Sequence, residues 1–423
     1  VDRLVIRPNG PLRGTARAGG AKNSALKLMA ACLLAEGRHE LHNVPRIVDV
    51  QIMAEMLEAL GVSVRRDGET LVIDVPDADG LSPVAPYELV EKMRASIVVL
   101  GPLLARCGHA RLSMPGGDDF GSRPINFHVN GLADMGTNFV TRHGFIEGTV
   151  ETTADRRRLV GTRIVLDYPS HTTTDNLMMA ATLAKGTTVI DNAAREPEVC
   201  DLADYLNAMG SSVQGAGTSR LEITGADTLG PGVHTVIPDR VVTGTYLAAA
   251  AITGGEVVVA DGRFDHMEMF VSKLRAMGVQ VDQRAEGLWA GAPSRLTSVD
   301  VATLPYPGVA TDYKPLLVAM LSVADGVAIV TENLFEGRFR YVDELRRMGA
   351  DVRTEGHHAV VRGVRRLEGA QVRSPDIRGG AALVLAGLVA DGETVVTGAR
   401  HLDRGYQDLG PTLRALGADV DWQ

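Results

Sequence analysis

Lys22-Asn23, Arg94, Asp175, Arg240, Asp312 and Arg378 each stand just before a run of apolar and small residues that reads as a buried helix. The first turn of a helix exposes N–H groups and the positive end of the backbone dipole, so an anion is favoured there and a cation is not. For Asp175 and Asp312 a helix cap is the ordinary explanation. Lys22, Arg94, Arg240 and Arg378 lack that explanation. Any one of them could be a solvated rim residue, but as a group they point to a bound anion. Planar guanidinium forks suit phosphate and carboxylate groups alike. The formal net charge of −9 opposes such a ligand, so the cations must act as a local cluster against the overall field.

The same acidic balance argues against nucleic acid or an anionic membrane as partner. At 423 residues and 45% hydrophobic content, the chain is expected to fold as two or more domains with large cores. Cys32, Cys107 and Cys200 show no CxxC or metal-ligand spacing, and Cys32 and Cys107 read as small buried hydrophobes of a reducing compartment. Val1-Asp2-Arg3-Leu4-Val5-Ile6-Arg7 alternates like a strand and carries no signal-peptide pattern. The longest apolar run, Thr243 to Thr253, is broken by Gly254-Gly255 and is too short for a membrane span. A soluble, cytoplasmic protein is expected. With no metal cluster, P-loop or strand-linked GxGxxG, neither a metal nor an organic cofactor is expected.

The elements that position these residues come from an internal repeat. The pattern Leu-x-x-(Leu/Met)-Gly-x-x-(Val/Phe) occurs six times, with its glycine at Gly61, Gly136, Gly210, Gly278, Gly349 and Gly417, spaced 75, 74, 68, 71 and 68 residues apart. The two apolar residues end an amphipathic helix, the glycine supplies a positive-φ cap, and an alternating strand follows. About 30–40 residues before each glycine lies a second, more uniformly apolar helix, such as Leu28-Met29-Ala30-Ala31-Cys32 or Leu316-Leu317-Val318-Ala319-Met320. Apolar on nearly every side, that helix belongs in a core. Six α/β units of about 70 residues suit two globules of three units, with sheets outside and buried helices inside.

Gly19-Gly20-Ala21-Lys22-Asn23-Ser24-Ala25-Leu26-Lys27, Met93-Arg94-Ala95-Ser96 and Pro115-Gly116-Gly117-x-x-x-Gly121-Ser122-Arg123-Pro124 then gain a common meaning. So do Ala194-Arg195-Glu196-Pro197-Glu198, Pro238-Asp239-Arg240, Thr311-Asp312, Phe335-Glu336-Gly337-Arg338-Phe339 and Asp403-Arg404-Gly405-Tyr406. In this order they resemble the motifs of the enolpyruvyl transferase family, in the branch whose acceptor is a UDP-sugar. The match runs from about Leu4 to Val420. The resemblance implies a two-domain inside-out α/β barrel, with domains at 22–235 and at 1–21 plus 236–423 and the active site in the cleft between them. It also implies the reaction: transfer of the enolpyruvyl group of phosphoenolpyruvate to the 3-hydroxyl of UDP-N-acetylglucosamine, with release of phosphate.

Carried over residue by residue, the resemblance implies that Lys22, Arg123, Arg378 and Arg404 bind phosphoenolpyruvate and that Arg338 stabilises charge. The UDP-sugar would be met by Asn23, Arg94, Arg123, Pro124, Ile125, Asn126, Ser170, His171, Thr172, Asp312, Leu334 and Phe335. Asn23 would hydrogen-bond the reacting centre, and Asp312 would take the hydroxyl proton. Asp118 stands where most of the family has a cysteine that protonates C3 and is alkylated by fosfomycin. A carboxylic acid can deliver that proton if burial and a neighbouring anion raise its pKa, and without a thiol the enzyme is expected to be insensitive to fosfomycin.

Other departures lie around the acceptor. Tyr168-Pro169-Ser170-His171-Thr172-Thr173-Thr174-Asp175-Asn176 replaces the family's usual diphosphate segment. Asn126 and Val242 replace an Asp and a Glu, and Val309-Ala310 and Tyr313-Lys314 replace Phe-Pro and Leu-Gln. His171 could contact a diphosphate or be a surface histidine. These changes leave room for another nucleotide acceptor, and the missing cysteine for a non-catalytic UDP-sugar-binding protein. A pure binder, however, would need neither the acid nor the base.

Overall fold

The computed structural model describes residues 2–116, 125–153, 156–335 and 337–423. They form two compact α/β units: residues 20–116 with 125–237, and residues 2–19 with 238–423.

The 20–237 unit is organised on α1 (Lys22–Ala31), α2 (Leu100–Cys107) and α3 (His171–Ala181). Every residue of α1 from Ser24 on and every residue of α3 from Thr173 on is buried, as are the first five of α2. Such helices have no polar face to offer water, so they can exist only inside a core. Gly101 lets α2 approach α3: its N–H donates to Asn176 Oδ1 at 2.7 Å. A Cβ there would lie 2.4 Å from the Asn176 carbonyl oxygen. Among the described residues, three sheets of three or four strands accompany these helices. One orders Val233–Thr235, Gly37–His42, Thr70–Val75 and Ser63–Asp67. Another orders His109–Ser113, Phe145–Val150 and Thr137–Arg142. The last orders Arg163–Val165, Thr187–Asp191, Arg220–Thr224 and Ser212–Gln214. Alternation sets their inner faces, as where Leu221 and Ile223 turn inward between exposed Arg220, Glu222 and Thr224.

The second unit repeats the plan on α4 (Arg240–Thr253), α5 (Lys314–Leu321) and α6 (Ile377–Gly387), again buried along nearly their whole length. The N-terminal strand Arg3–Arg7 lies between Thr394–Thr397 and Asp419–Trp422, antiparallel to both. Arg13–Arg17 pairs in parallel with Glu256–Ala260. The third sheet orders Val301–Ala302, Val327–Thr331, His358–Arg362 and Asp351–Glu355.

The recurrent Leu-x-x-(Leu/Met)-Gly signal marks a helix end each time, three times in each unit. The glycines adopt φ between 85° and 102°, which a side chain would resist.

Candidate active site

In the 20–237 unit, Lys22 opens α1, whose preceding residue Ala21 offers no side-chain cap. Its ammonium lies 2.6 Å from Asp49 Oδ2, on the helix Val48–Ala59. The cation at this helix start thus has a buried carboxylate partner within the fold, which the sequence reading did not anticipate. Asn23, beside it, is half-buried. Arg94 opens the 3-10 helix Arg94–Val99, and its Nη1 donates to the Pro115 carbonyl at 3.1 Å. Ile125 is buried and Asn126 is exposed at the start of the helix Asn126–Asp134. Asp118, Arg123 and Pro124 lie outside the described residues.

Ser170 precedes α3 but does not cap it; its hydroxyl donates to Thr173 Oγ1 at 2.9 Å. His171 and Thr172 follow, both half-buried. The cap reading of Asp175 is corrected here, because Asp175 is the fifth residue of α3 and wholly buried. Its Oδ2 lies 3.4 Å from Lys27 Nζ and 3.4 Å from His171 Nε2, and Lys27 Nζ lies 3.2 Å from His171 Nε2. Burial pushes the Asp175 carboxyl up to about 7, opposed by Lys27 and reinforced by Glu196 and Glu198.

In the second unit the caps are Asp239 and Asp376. Asp239 accepts from the N–H groups of Val241 and Val242 at 2.7 and 2.9 Å, and Asp376 from those of Arg378 and Gly379, both at 2.9 Å. Each fixes the helix start that carries an arginine, Arg240 in α4 and Arg378 in α6. Arg240 lies over the Tyr306 ring and Arg378 over the Tyr406 ring, 5.4 and 5.1 Å from the centroids. Arg378 is 4% exposed, and its Nη1 has no hydrogen-bond partner among the described residues. Burial alone would lower its pKa, but Tyr406, Asp312 and Asp239 outweigh it, so the guanidinium stays charged.

Asp312 is not a cap either. It sits two residues before α5 and accepts a hydrogen bond from Arg338 Nη2. Burial raises its pKa, but Arg338, then Arg378 and Arg240, hold the carboxyl well below the usual range. Arg338 Nη1 donates to Thr311 Oγ1 at 3.0 Å. Leu334 and Phe335 are half-buried and give their backbone N–H groups to Glu332 Oε1 at 2.8 and 3.3 Å. Arg404, half-buried, follows the short helix Arg400–Asp403.

The structure thus gathers Asp312, Arg338, Arg378 and Arg240 in one electrostatic cluster, and sets His171 beside Lys27 and Asp175. Residues that the sequence reading missed are Lys27, Asp49, Lys314 and Glu332. Lys27 and Lys314 carried a signal, since Lys27 stands in the uncharged, apolar part of α1 and Lys314 opens an otherwise apolar α5, so each must find a buried partner.

Among the described residues there is no group of three or more His, Cys, Asp or Glu side chains placed to hold a metal ion. No helix among them is long and apolar enough to cross a membrane.

Residues 6–413 match the family described as EPSP synthase (3-phosphoshikimate 1-carboxyvinyltransferase). Proteins named UDP-N-acetylglucosamine 1-carboxyvinyltransferase 1 align over almost the whole chain. The one from Symbiobacterium thermophilum is 48% identical, over 99% of this chain and 95% of its own. The one from Caldanaerobacter subterraneus subsp. tengcongensis is 44% identical, over 99% of both. The structure of the enolpyruvyl transferase NikO from Streptomyces tendae is similar with a TM-score of 0.88 at 26% identity, over 100% of this chain and 99% of that one. EPSP synthase from Acinetobacter baumannii shares the fold, with a TM-score of 0.75 at 18% identity over 100% of both chains. The chain belongs to the EPSP synthase family, the enolpyruvyl transferases.

Proposed function

We propose that this protein transfers the enolpyruvyl group of phosphoenolpyruvate to the 3-hydroxyl of UDP-N-acetylglucosamine, releasing phosphate in the first committed step of peptidoglycan precursor synthesis. The observation that carries the reading is Arg378, a buried guanidinium with an N–H that no described residue accepts. A buried charged donor without an acceptor is costly unless a ligand completes it, and the carboxylate of phosphoenolpyruvate has the right charge and fork geometry. The relatives at 44–48% identity that carry the acceptor's name support UDP-N-acetylglucosamine over another nucleotide.

In this reading the sugar hydroxyl adds to C2 of phosphoenolpyruvate while Asp118 protonates C3 and Asp312 takes the hydroxyl proton. The adduct then loses phosphate from C2 and a proton from C3, restoring the double bond. Asp312 tied to Arg338 is a weak base. Its bond to Arg338 keeps it ionised and fixes where it points, so that it meets the hydroxyl when the acceptor is in place. Lys22, Arg123 and Arg404 hold the phosphate and carboxylate, Asn23 orients the reacting centre, and Ser170, His171 and Thr172 meet the diphosphate. The two compact units serve as domains at 22–235 and at 1–21 plus 236–423. The three buried helices of each belong to three repeated α/β units of an inside-out barrel, six in all. The enzyme works in the cytoplasm on small molecules.

The test is phosphate release from phosphoenolpyruvate with UDP-N-acetylglucosamine, for wild type, Asp118→Ala and Asp312→Ala. Each substitution is expected to lower turnover by ~10²–10⁴-fold, the range of a lost general acid or base, and fosfomycin should not inactivate the wild type. Wild-type turnover that survives both substitutions would refute the assignment of acid and base. Release seen only with a different nucleotide acceptor would move the substrate.

A further inference from the structure

Glu332 is a carboxylate of the second unit with donors on both oxygens, and the reaction assigns it no task. It is 0% exposed. Its Oε1 accepts from Thr303 Oγ1 at 2.7 Å and from the Leu334 and Phe335 N–H groups. Its Oε2 accepts from Thr311 Oγ1 at 2.7 Å and lies 2.8 Å from Lys314 Nζ. Every partner is a donor, so the site accommodates only an ionised carboxylate.

That requirement fixes the direction of the next bond. Thr311 has one hydroxyl proton and gives it to Glu332, so its lone pairs are left to accept from Arg338 Nη1. Arg338 can only donate, and its other terminal nitrogen goes to Asp312. Lys314 closes the circuit from the far side, donating to the Arg338 carbonyl at 2.6 Å with its ammonium 3.9 Å from the Phe339 ring centroid. A chain of oriented bonds therefore runs from Lys314 through Glu332 and Thr311 to Arg338 and ends on Asp312. Replacing a buried ion pair with apolar residues often leaves stability unchanged or improves it, so stability alone is weak grounds for keeping one. What this pair supplies is orientation.

We propose that Lys314 and Glu332 are positioning residues that hold Arg338 and Asp312 in place for the proton transfer at the sugar hydroxyl. This rests on the reading of Asp312 as the base. Several charged and titratable groups face the relay. Arg338, Asp376 and Glu332 act on Lys314, Arg338, Arg378 and Arg240 on Asp312, and the buried Tyr341 hydroxyl stands near Glu332 and Asp376. Burial brings the Lys314 ammonium down to about 8, against the pull of Glu332. Above that pH Lys314 gives up a proton and Glu332 loses its cation.

The experiment measures kcat and KM from about pH 6 to 10 around the expected transition, for wild type, Glu332→Gln, Lys314→Gln and the double variant. The ligand-free crystal structures of the variants are solved in parallel. Glu332→Gln is expected to lower kcat by about 10- to 100-fold, the effect of misplacing a reacting group, with KM for both substrates within about threefold of wild type. Lys314→Gln, which keeps neutral N–H donors, should lose about threefold in kcat at pH 7 and lack the wild-type fall in kcat above about pH 8. The double variant carries no unbalanced buried charge and separates misfolding from misplacement. In the Glu332→Gln crystal structure Arg338 should leave Asp312. An intact Arg338–Asp312 contact with unchanged kcat would overturn the proposal, as would an identical alkaline fall in Lys314→Gln. If wild type releases no phosphate with this acceptor but Arg338 moves in Glu332→Gln, the positioning role stands and the assigned reaction fails.

Discussion

Lys27 faces Asp175 in one unit and Lys314 faces Glu332 in the other, and both carboxylates are cut off from solvent. The pairs nevertheless differ in ionisation. Asp175 stands 3.4 Å from its lysine, and neither of its oxygens has a hydrogen-bond partner among the described residues. Burial therefore prevails and lifts its carboxyl to about 7. Glu332 stands 2.8 Å from its lysine and gathers two threonine hydroxyls and two backbone N–H groups. Burial raises it too, but Lys314 and those hydroxyls hold it below the ordinary range. Depth in the core does not decide whether a carboxylate is charged; the number of donors aimed at it does.

Deleting each cation gives the largest contrast. Lys314→Met strands a carboxylate whose four remaining donors demand ionisation, and a loss of about 3–5 kcal/mol is expected, as for a broken buried ion pair. Lys27→Met should cost only about 1 kcal/mol, because a carboxyl that titrates near neutrality takes up a proton instead. Urea unfolding of both variants at pH 7 measures the difference. Equal losses would erase the distinction between the two pairs.

Acid and base should separate them further, with opposite signs. Asp175 has a folded pKa above the ~3.9 of an unfolded aspartate. Its favourable contribution is thus fully present below about pH 4 and is lost as pH rises through about 7. Glu332 is held below its unfolded value, so its contribution is present above about pH 4.3 and is lost as pH falls through the folded value. The stability of Asp175→Asn relative to wild type should therefore rise between about pH 4 and 7 and then level off, by a few kcal/mol at most. For Glu332→Gln the wild-type advantage should shrink only on acidification below about pH 4. Unfolding curves at several pH values read both slopes. A flat difference for Asp175→Asn would mean that its carboxylate is already charged in the fold.

This contrast also marks how far the sequence could be read. The helix ends were legible because Leu57-x-x-Leu60-Gly61 and its five counterparts combine an apolar pair with a residue that tolerates positive φ. The buried helices were legible because Ala, Leu and Met fill them on every side. Arg338, Asp312 and Arg378 carried their own chemistry. Which aspartate caps which helix was not legible: Asp239 and Asp376 do so, not Asp175 and Asp312, because capping depends on backbone dihedrals, which place the α3 cap at Ser170, well before Asp175, and the α5 cap at Tyr313, just after Asp312. Lys22 looked like a cation awaiting an anion, and its partner Asp49 lies 27 residues away on another helix. Contacts of that range leave no periodicity to read. A lysine within an apolar helix announces that a partner exists, without saying which.

The smallest effect is the sharpest test of what each pair is for. Replacing both members with apolar residues removes the desolvation cost along with the attraction. Lys27→Met with Asp175→Leu discards a carboxyl that satisfies no hydrogen-bond donor among the described residues, and His171 Nε2 loses only its contacts with Lys27 Nζ at 3.2 Å and Asp175 Oδ2 at 3.4 Å. The double variant is expected to stay within about 1 kcal/mol of wild type at pH 7, or to exceed it. The same exchange at Lys314 and Glu332 cannot be neutral, because Thr303, Thr311 and the backbone of Leu334 and Phe335 would lose their acceptor together. Thermal unfolding of the two double variants side by side decides the point. If the Lys27 and Asp175 exchange proves as costly as the other, that pair is structural in its own right and the looseness of its geometry carries no meaning.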